Sequence, residues 1–320
     1  MSSATDHPSA VAIELNAVVV ALIEEQPRVL ALDDGVLLPS GPFASDHPTL
    51  QTGLRAWVER QTRHPLGYTE QLYTFADRNR ADATGKRRVV SISYLALTRE
   101  HVEAGRREAG WHDWYRYFPW EDWRGGAGTP IAQTLAKALR SWADAAPDAT
   151  AKRARRQRVD VDFDIASWNE DLVLQRFELL YEAGLVAEAH AGRAARTRRP
   201  ACAALPTAVS GLAMRHDHRR ILATGIARLR AKIKYRPVVF ELMPPDFTLG
   251  QLQRAVEALA GRPLHKQNFR RLVEQQGLVE ETGATTAETG GRPAKLYRFR
   301  REILLERAVA GSKLPLARPA

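Results

Sequence analysis

Between Asp246 and Phe299 the chain reads DFTLGQLQRAVEALAGRPLHKQNFRRLVEQQGLVEETGATTAETGGRPAKLYRF, and this stretch constrains the fold more than any other. Thr248 and Gln251 stand at capping-box spacing, which predicts a helix from Leu249. Leu249, Leu252, Val256 and Leu259 recur on one helical face, and Gly261 supplies the stop. After Arg262-Pro263 a second helix carries Phe269, Leu272 and Val273 on its apolar side. Lys266, Gln267, Asn268, Arg270 and Arg271 occupy its other side. Beyond Gly277, LVEET, a Gly/Thr-rich tip and GGRPAKLYRF predict a two-stranded β wing. Helix, turn, helix and wing together make a winged helix-turn-helix. Basic and amide side chains on its exposed face supply donors for phosphates and for base edges in the major groove of double-stranded DNA. The expected contact set is Thr248, Lys266, Gln267, Asn268, Arg270 and Arg271, with Arg292 and Lys295 in the wing.

Charge falls in the same place. Residues 211–320 hold 21 Lys+Arg against 10 Asp+Glu, whereas the first 210 residues hold 26 against 27. Basic character confined to one end is the electrostatic footprint of a polyanion-binding module. A solvated basic surface is the plainer alternative, but here the charge coincides with the helix-turn-helix pattern.

Other features act by exclusion. At 320 residues the chain can build two compact cores. No apolar run is long enough to span a bilayer, so no membrane partner is expected. MSSATDHPSAVAIEL has no basic segment followed by an apolar one, so no secretory signal is expected. The single cysteine, Cys202, excludes an internal disulfide framework and a cysteine-based zinc site, and the nine histidines show no metal-ligand spacing. The expected location is cytoplasmic, on the nucleoid.

Residues 10–123 read as a different unit. VAIELNAVVVALIEE and RVLALDD predict two strands joined at Gln26-Pro27. LLPSGPF is a Pro/Gly turn, and TLQTGLRAWVERQT is an amphipathic helix with Leu50, Leu54, Trp57 and Val58 inward. YTEQLYTFAD and RVVSISYLALT are further strands, and WYRYFPWEDW is an aromatic turn. The implied class is an α/β (α+β) sandwich with a ligand cleft above the helix.

These segments fall in the order of a Nudix domain. Joined to the C-terminal pattern, they make the chain resemble the Nudix-related transcriptional regulators of NAD metabolism, in particular a longer alphaproteobacterial branch. The resemblance covers roughly residues 10–123 and 214–300. It implies a repressor of NAD biosynthesis or salvage genes that senses ADP-ribose, NAD or ATP and requires no other cofactor. Nudix hydrolases carry G-x5-E-x7-R-E-U-x-E-E-x-G-U, whose glutamates hold a divalent metal. Anchored on Gly41, the first Glu position is His47, Arg55 keeps the Arg, and Ala56 replaces the second Glu. Glu59 and Arg60 fall at the Glu-Glu pair, and Thr62 replaces the glycine. One carboxylate cannot satisfy a hard cation that wants several oxygen ligands, so neither a metal site nor a catalytic residue is expected.

For a bound nucleotide the sequence offers Arg55, Arg60 and Arg78 toward a diphosphate, with Arg80 beside Arg78. Glu59 and Glu70 are placed as acceptors from ribose hydroxyls, or equally as partners in surface ion pairs. Phe75 and Tyr94, with Tyr73, either stack on a base or pack the sheet.

Residues 124–213 read as a helical insertion used for dimerisation, with apolar stripes at Ile131, Leu135, Leu139 and Trp142, and at Leu172, Phe177, Leu180 and Tyr181. KRARRQR between them reads as a solvated linker. From His216 a helix should lead into the DNA-binding domain, giving it the range 214–305. A homodimer on a pseudo-palindromic operator is expected. Two functions follow: a nucleotide-responsive repressor, or a Nudix pyrophosphatase acting on ADP-ribose or NAD with a winged-helix appendage. The degenerate metal helix favours the first.

Overall fold

Val and Ala dominate the strand Val11–Ile23 (β1), and a strand apolar at successive positions has to be covered on both faces. The computed structural model describes residues 11–76, 88–99, 109–125, 130–191, 202–287, 293–300 and 302, and in it β1 is the centre of a mixed sheet. It pairs in parallel with β5 (Arg88–Leu97) and antiparallel with β2 (Gln26–Leu32) and the short β3 (Ser40–Pro42). β4 (Tyr68–Phe75) and β6 (Ala109–Asp113) form the edges, in the order β4-β5-β1-β2-β6. Leu15, Ala17 and Val19 face one side, where α1 (Leu50–Thr62) inserts Leu54 and Val58. Val18 and Val20 face the other side, where α5 (His218–Ile233) lies. Gly225 makes that approach close, since a Cβ there would stand 2.9 Å from Val18. The result is an α/β/α sandwich.

The β1–β2 hairpin turns at Glu24-Glu25, two residues before the sequence reading placed it, because Ile23 pairs with Gln26. Both glutamates have positive φ, 51° and 60°. A two-residue turn of this kind ordinarily takes Asn-Gly, and a side chain in the left-handed region costs about 1–2 kcal/mol per residue.

Three helices follow the sheet: α2 (Pro130–Asp144), α3 (Ala149–Asp162) and α4 (Val173–Ala183). α3 contains the KRARRQR run, which is therefore helical and not a linker. Asp148 caps it, and its arginines find partners outside the helix. Arg155 lies 4.2 Å from the Trp142 ring centroid, Arg156 pairs with Asp144, and Arg158 with Glu182. The apolar stripes expected to form a dimer contact are largely consumed inside the chain. Leu135, Leu139, Trp142, Phe177 and Leu180 are buried in the core, and Ile131 and Tyr181 pack against it.

α6 (Leu249–Ala260) starts with the expected capping box and ends at Gly261, whose φ of +76° closes the helix in the left-handed conformation. α7 (Lys266–Gln275) and a three-stranded sheet of β7 (Asp246–Phe247), β9 (Ala294–Phe299) and β8 (Val279–Thr286) complete the C-terminal unit. One continuous core runs from Val18 of the central sheet through α2, α4 and α5 to Val273 of α7.

A buried ion cluster crosses the join. The Glu121 carboxylate, 1% exposed, accepts from Arg176 Nε (2.6 Å) and Nη2 (2.9 Å) and from Arg230 Nη1 (2.6 Å). Arg230 Nε also donates to Leu259 O near the end of α6, and the Tyr115 hydroxyl donates to Ala258 O. Removing one partner of a buried ion cluster strands the others, at a cost of about 3–5 kcal/mol. Glu121→Ala should lower the unfolding free energy by that amount in urea denaturation, and a loss under about 1 kcal/mol would mean that water reaches the cluster.

Candidate nucleic-acid interface and sensor site

In the C-terminal unit Phe269 and Val273 are buried, and Leu272 is half-buried. That fixes the rotation of α7, so Lys266, Gln267, Asn268, Arg270 and Arg271 are all exposed. His265, at the N-cap, makes no side-chain cap, and the first-turn amides of α7 have no intrahelical acceptor. Between the starts of α6 and α7 and the wing lies a groove of about 650 Å³, lined by Thr248, Gly250, Arg254, Lys266, Arg270, Lys295 and their neighbours. Thr248 sits in its wall, but its hydroxyl oxygen is committed to the cap of α6, accepting from the Gln251 amide at 3.1 Å. Lys295 is exposed and paired with Glu281 at 2.8 Å, which raises the lysine pKa and lowers that of the glutamate. Gln267, Asn268 and Arg271 do not line the groove. Arg292 lies outside the described residues.

The sequence reading passed over Arg254. Its partner, Glu25, lies 229 residues earlier. Local periodicity carries no signal of such a pair.

The residues chosen as nucleotide contacts are dispersed. Arg55, Glu59 and Arg60 lie on α1. The Arg55 guanidinium is bound into the α1–β4 connection: Nη1 donates to Leu66 O, and Nη2 donates to Gly67 O (3.0 Å) and Thr69 Oγ1 (3.1 Å). Glu59 is exposed, and Arg60 stacks over Trp57, 4.8 Å from the ring centroid. Tyr94 is buried on the α1 face of the sheet, and burial raises its pKa. Phe75 and Glu70 point to the opposite face. Phe75 joins the core under α5, and Glu70 accepts from the Tyr68 hydroxyl and pairs with Lys232 of α5. Burial, with help from Arg236, holds the Lys232 pKa below that of an ordinary lysine. The register slip between Gln71 and Thr74 explains the split, because one extra residue in β4 turns Phe75 away from the face of Tyr94. Arg78 lies outside the described residues, as does Arg80. Among the described residues no group of three or more His, Cys, Asp or Glu side chains is placed to hold a metal ion.

Arg55 thus ties α1 to the start of β4. Three hydrogen bonds from one guanidinium, two to the α1–β4 connection and one to β4, should make Arg55→Ala cost about 1–3 kcal/mol in urea unfolding. An unchanged midpoint would mean that those bonds are replaced by water at no cost.

Residues 239–299 match the NrtR DNA-binding winged helix domain. A curated relative, the ADPR-responsive transcriptional repressor NtrR of Acinetobacter baylyi, is 45% identical over 83 residues, or 26% of this chain. The chain spans only a third (33%) of the length of that relative. Among solved structures, Shewanella oneidensis NrtR superposes with a TM-score of 0.52 at 20% identity, covering 90% of this chain and 94% of its own. A MutT/Nudix family protein from Enterococcus faecalis gives 0.52 at 15% identity, covering 93% of this chain and 90% of its own. The chain has the fold of these proteins, a Nudix-type sandwich carried with a C-terminal winged helix domain of the NrtR kind.

Proposed function

We propose that this chain is a ligand-responsive transcriptional repressor that binds an operator through its winged helix. Its Nudix-fold unit takes up an NAD-related nucleotide, ADP-ribose ahead of NAD and ATP, without cleaving it. The observation that carries the reading is the outward face of α7. Lys266, Gln267, Asn268, Arg270 and Arg271 are exposed together beside a basic groove of about 650 Å³. Phosphate contacts from such a surface give affinity, and the Gln, Asn and Arg side chains reach base edges. The Acinetobacter relative, described as responsive to ADPR, supports the choice of effector. On the sensor helix only Glu59 remains at a metal-ligand position, and Arg60 beside it disfavours a cation.

A single winged helix has a short reading surface, and two-fold pairing on a pseudo-palindromic site extends it. The homodimer is part of the proposal, with its contact outside the buried stripes of α2 and α4.

An effector alters operator affinity only by binding the competent and incompetent arrangements differently. ADP-ribose should shift operator affinity by about 5–150-fold. Gel shifts on the chain's own upstream region, with and without each nucleotide, measure this directly. Gln267→Ala and Arg270→Ala should each lose about 1–3 kcal/mol of discrimination between operator and random duplex. Wild-type discrimination in both variants would remove α7 as the reading helix. Release of AMP from ADP-ribose or NAD with Mg²⁺ or Mn²⁺ would instead make the sensor unit a pyrophosphatase.

A further inference from the structure

One arginine that lines the groove beside α7 is paired with a carboxylate from the other end of the chain. Arg254 lines it together with Lys266, Arg270 and Lys295. Its guanidinium is held at both prongs by Glu25: Nη2 donates to Oε1 at 2.7 Å, and Nε donates to Oε2. Glu25 is one of the two left-handed glutamates of the β1–β2 turn. That turn is built at the end of the central strand of the sensor sheet and projects its acid onto α6.

Stability does not account for the arrangement. The pair is open to solvent, with Arg254 53% and Glu25 36% exposed, and exposed ion pairs contribute little to folding. Two glutamates at positive φ work against folding where Asn-Gly is the favoured pair. Local strain kept without a stabilising return marks a position selected for something else. A carboxylate and a phosphodiester both present paired oxygens to a guanidinium fork, so they compete for it.

We propose that Arg254 is a contact for a DNA phosphate, and that Glu25 is a built-in competitor that occupies it in the DNA-free protein. The sensor's own hairpin therefore holds down the affinity of the groove for the DNA backbone. This inference rests on the DNA-binding reading of the winged helix. Glu25 acts in two ways. It neutralises Arg254, and its charge opposes phosphates passing within the Debye length, about 10 Å at 0.1 M salt.

The test uses the full chain and a fluorescein-labelled duplex of about 30 base pairs and mixed sequence, a length spanning three helical turns. Fluorescence anisotropy is followed from about 50 to 200 mM NaCl without nucleotide, so that only backbone contacts are scored. Glu25→Gln should tighten binding by about 10-fold at the low-salt end and steepen the slope of log K against log salt by about 0.9, one additional phosphate. Glu25→Asp keeps the charge and should keep the wild-type slope to within about half of that single-phosphate increment. In the Arg254→Ala background the gain from Glu25→Gln should shrink to less than about threefold, leaving only the loss of repulsion. Equal or weaker binding by Glu25→Gln would overturn the competitor, the weaker result assigning Glu25 to positioning Arg254 for DNA. A full gain surviving in Arg254→Ala would overturn the assignment of Arg254. No binding of the duplex by wild type at about 50 mM salt would remove the DNA-binding reading itself, and the inference with it.

Discussion

The Glu121 carboxylate, closed off from water between Arg176 and Arg230, is the contact on which the remaining architecture depends. One negative and two positive charges are buried together, an arrangement that is unfavourable unless every donor is satisfied. Satisfaction comes from backbone. Arg176 donates to Asp162 O, the last residue of α3, and to Asn169 O. Arg230 donates to Leu259 O in the last turn of α6, and to Glu170 O. The C-terminal end of a helix carries partial negative charge, and two such ends converge here on the two arginines. The surplus positive charge is thus matched by helix ends drawn from the insertion and from the winged helix unit. Losing either helix would leave it bare.

This arrangement decides which parts can move together. α6 is pinned at its C-terminal end by Tyr115, Arg230 and the Trp123 amide, which donates to Gly261 O at 2.6 Å. α5 is pressed against β1 at Gly225 and tied to β4 through Lys232 and Glu70. Sheet, α5 and the end of α6 are therefore continuous, with Leu222, Ile226 and Val256 in one core. The start of α6, by contrast, faces the open groove on its polar side, where Arg254 makes an exposed ion pair with Glu25 of the β1–β2 turn. Under the proposed function, strain in the sheet reaches the reading helix by a firm route at one end of α6 and an electrostatic one at the other.

Much of this was legible in the sequence, and the exceptions share a cause. The caps of α6, the apolar side of α7 and the alternation of the wing are local, so Thr248, Gly261 and Phe269 announce themselves within one or two turns. α3 did not, because its arginines are stabilised by Trp142, Asp144 and Glu182 from neighbouring helices, and no apolar period marks it. Phe75 and Tyr94, offered for stacking or for packing, both pack the sheet but on opposite faces, which the sequence did not show. Strand alternation assigns faces only until a bulge, and the slip before Thr74 reverses the assignment for the residue after it. The apolar stripes of α2 and α4 were correctly located but given the wrong partner. Periodicity shows that a face is covered, not whether its cover is the same chain.

The Glu24-Glu25 turn separates these levels most clearly. Local preference places the turn elsewhere, since Gln26-Pro27 looks like the natural break and Glu-Glu does not look like a hairpin turn. Tertiary structure overrules it. Pro27 pairs with Leu22 inside the ladder, where its missing N–H is tolerated, and the register of β1 with β2 forces the two residues between Ile23 and Gln26 to close the loop. A chain free to relax would put Asn-Gly there. Keeping two acids in the left-handed region leaves the Glu25 carboxylate on both prongs of Arg254, its one hydrogen-bond partner among the described residues and a side chain that lines the basic groove. Under the proposed function, the departure of sequence, strain and exposed charge from what folding prefers at this one position belongs to the surface that meets DNA and not to the core that holds the chain together.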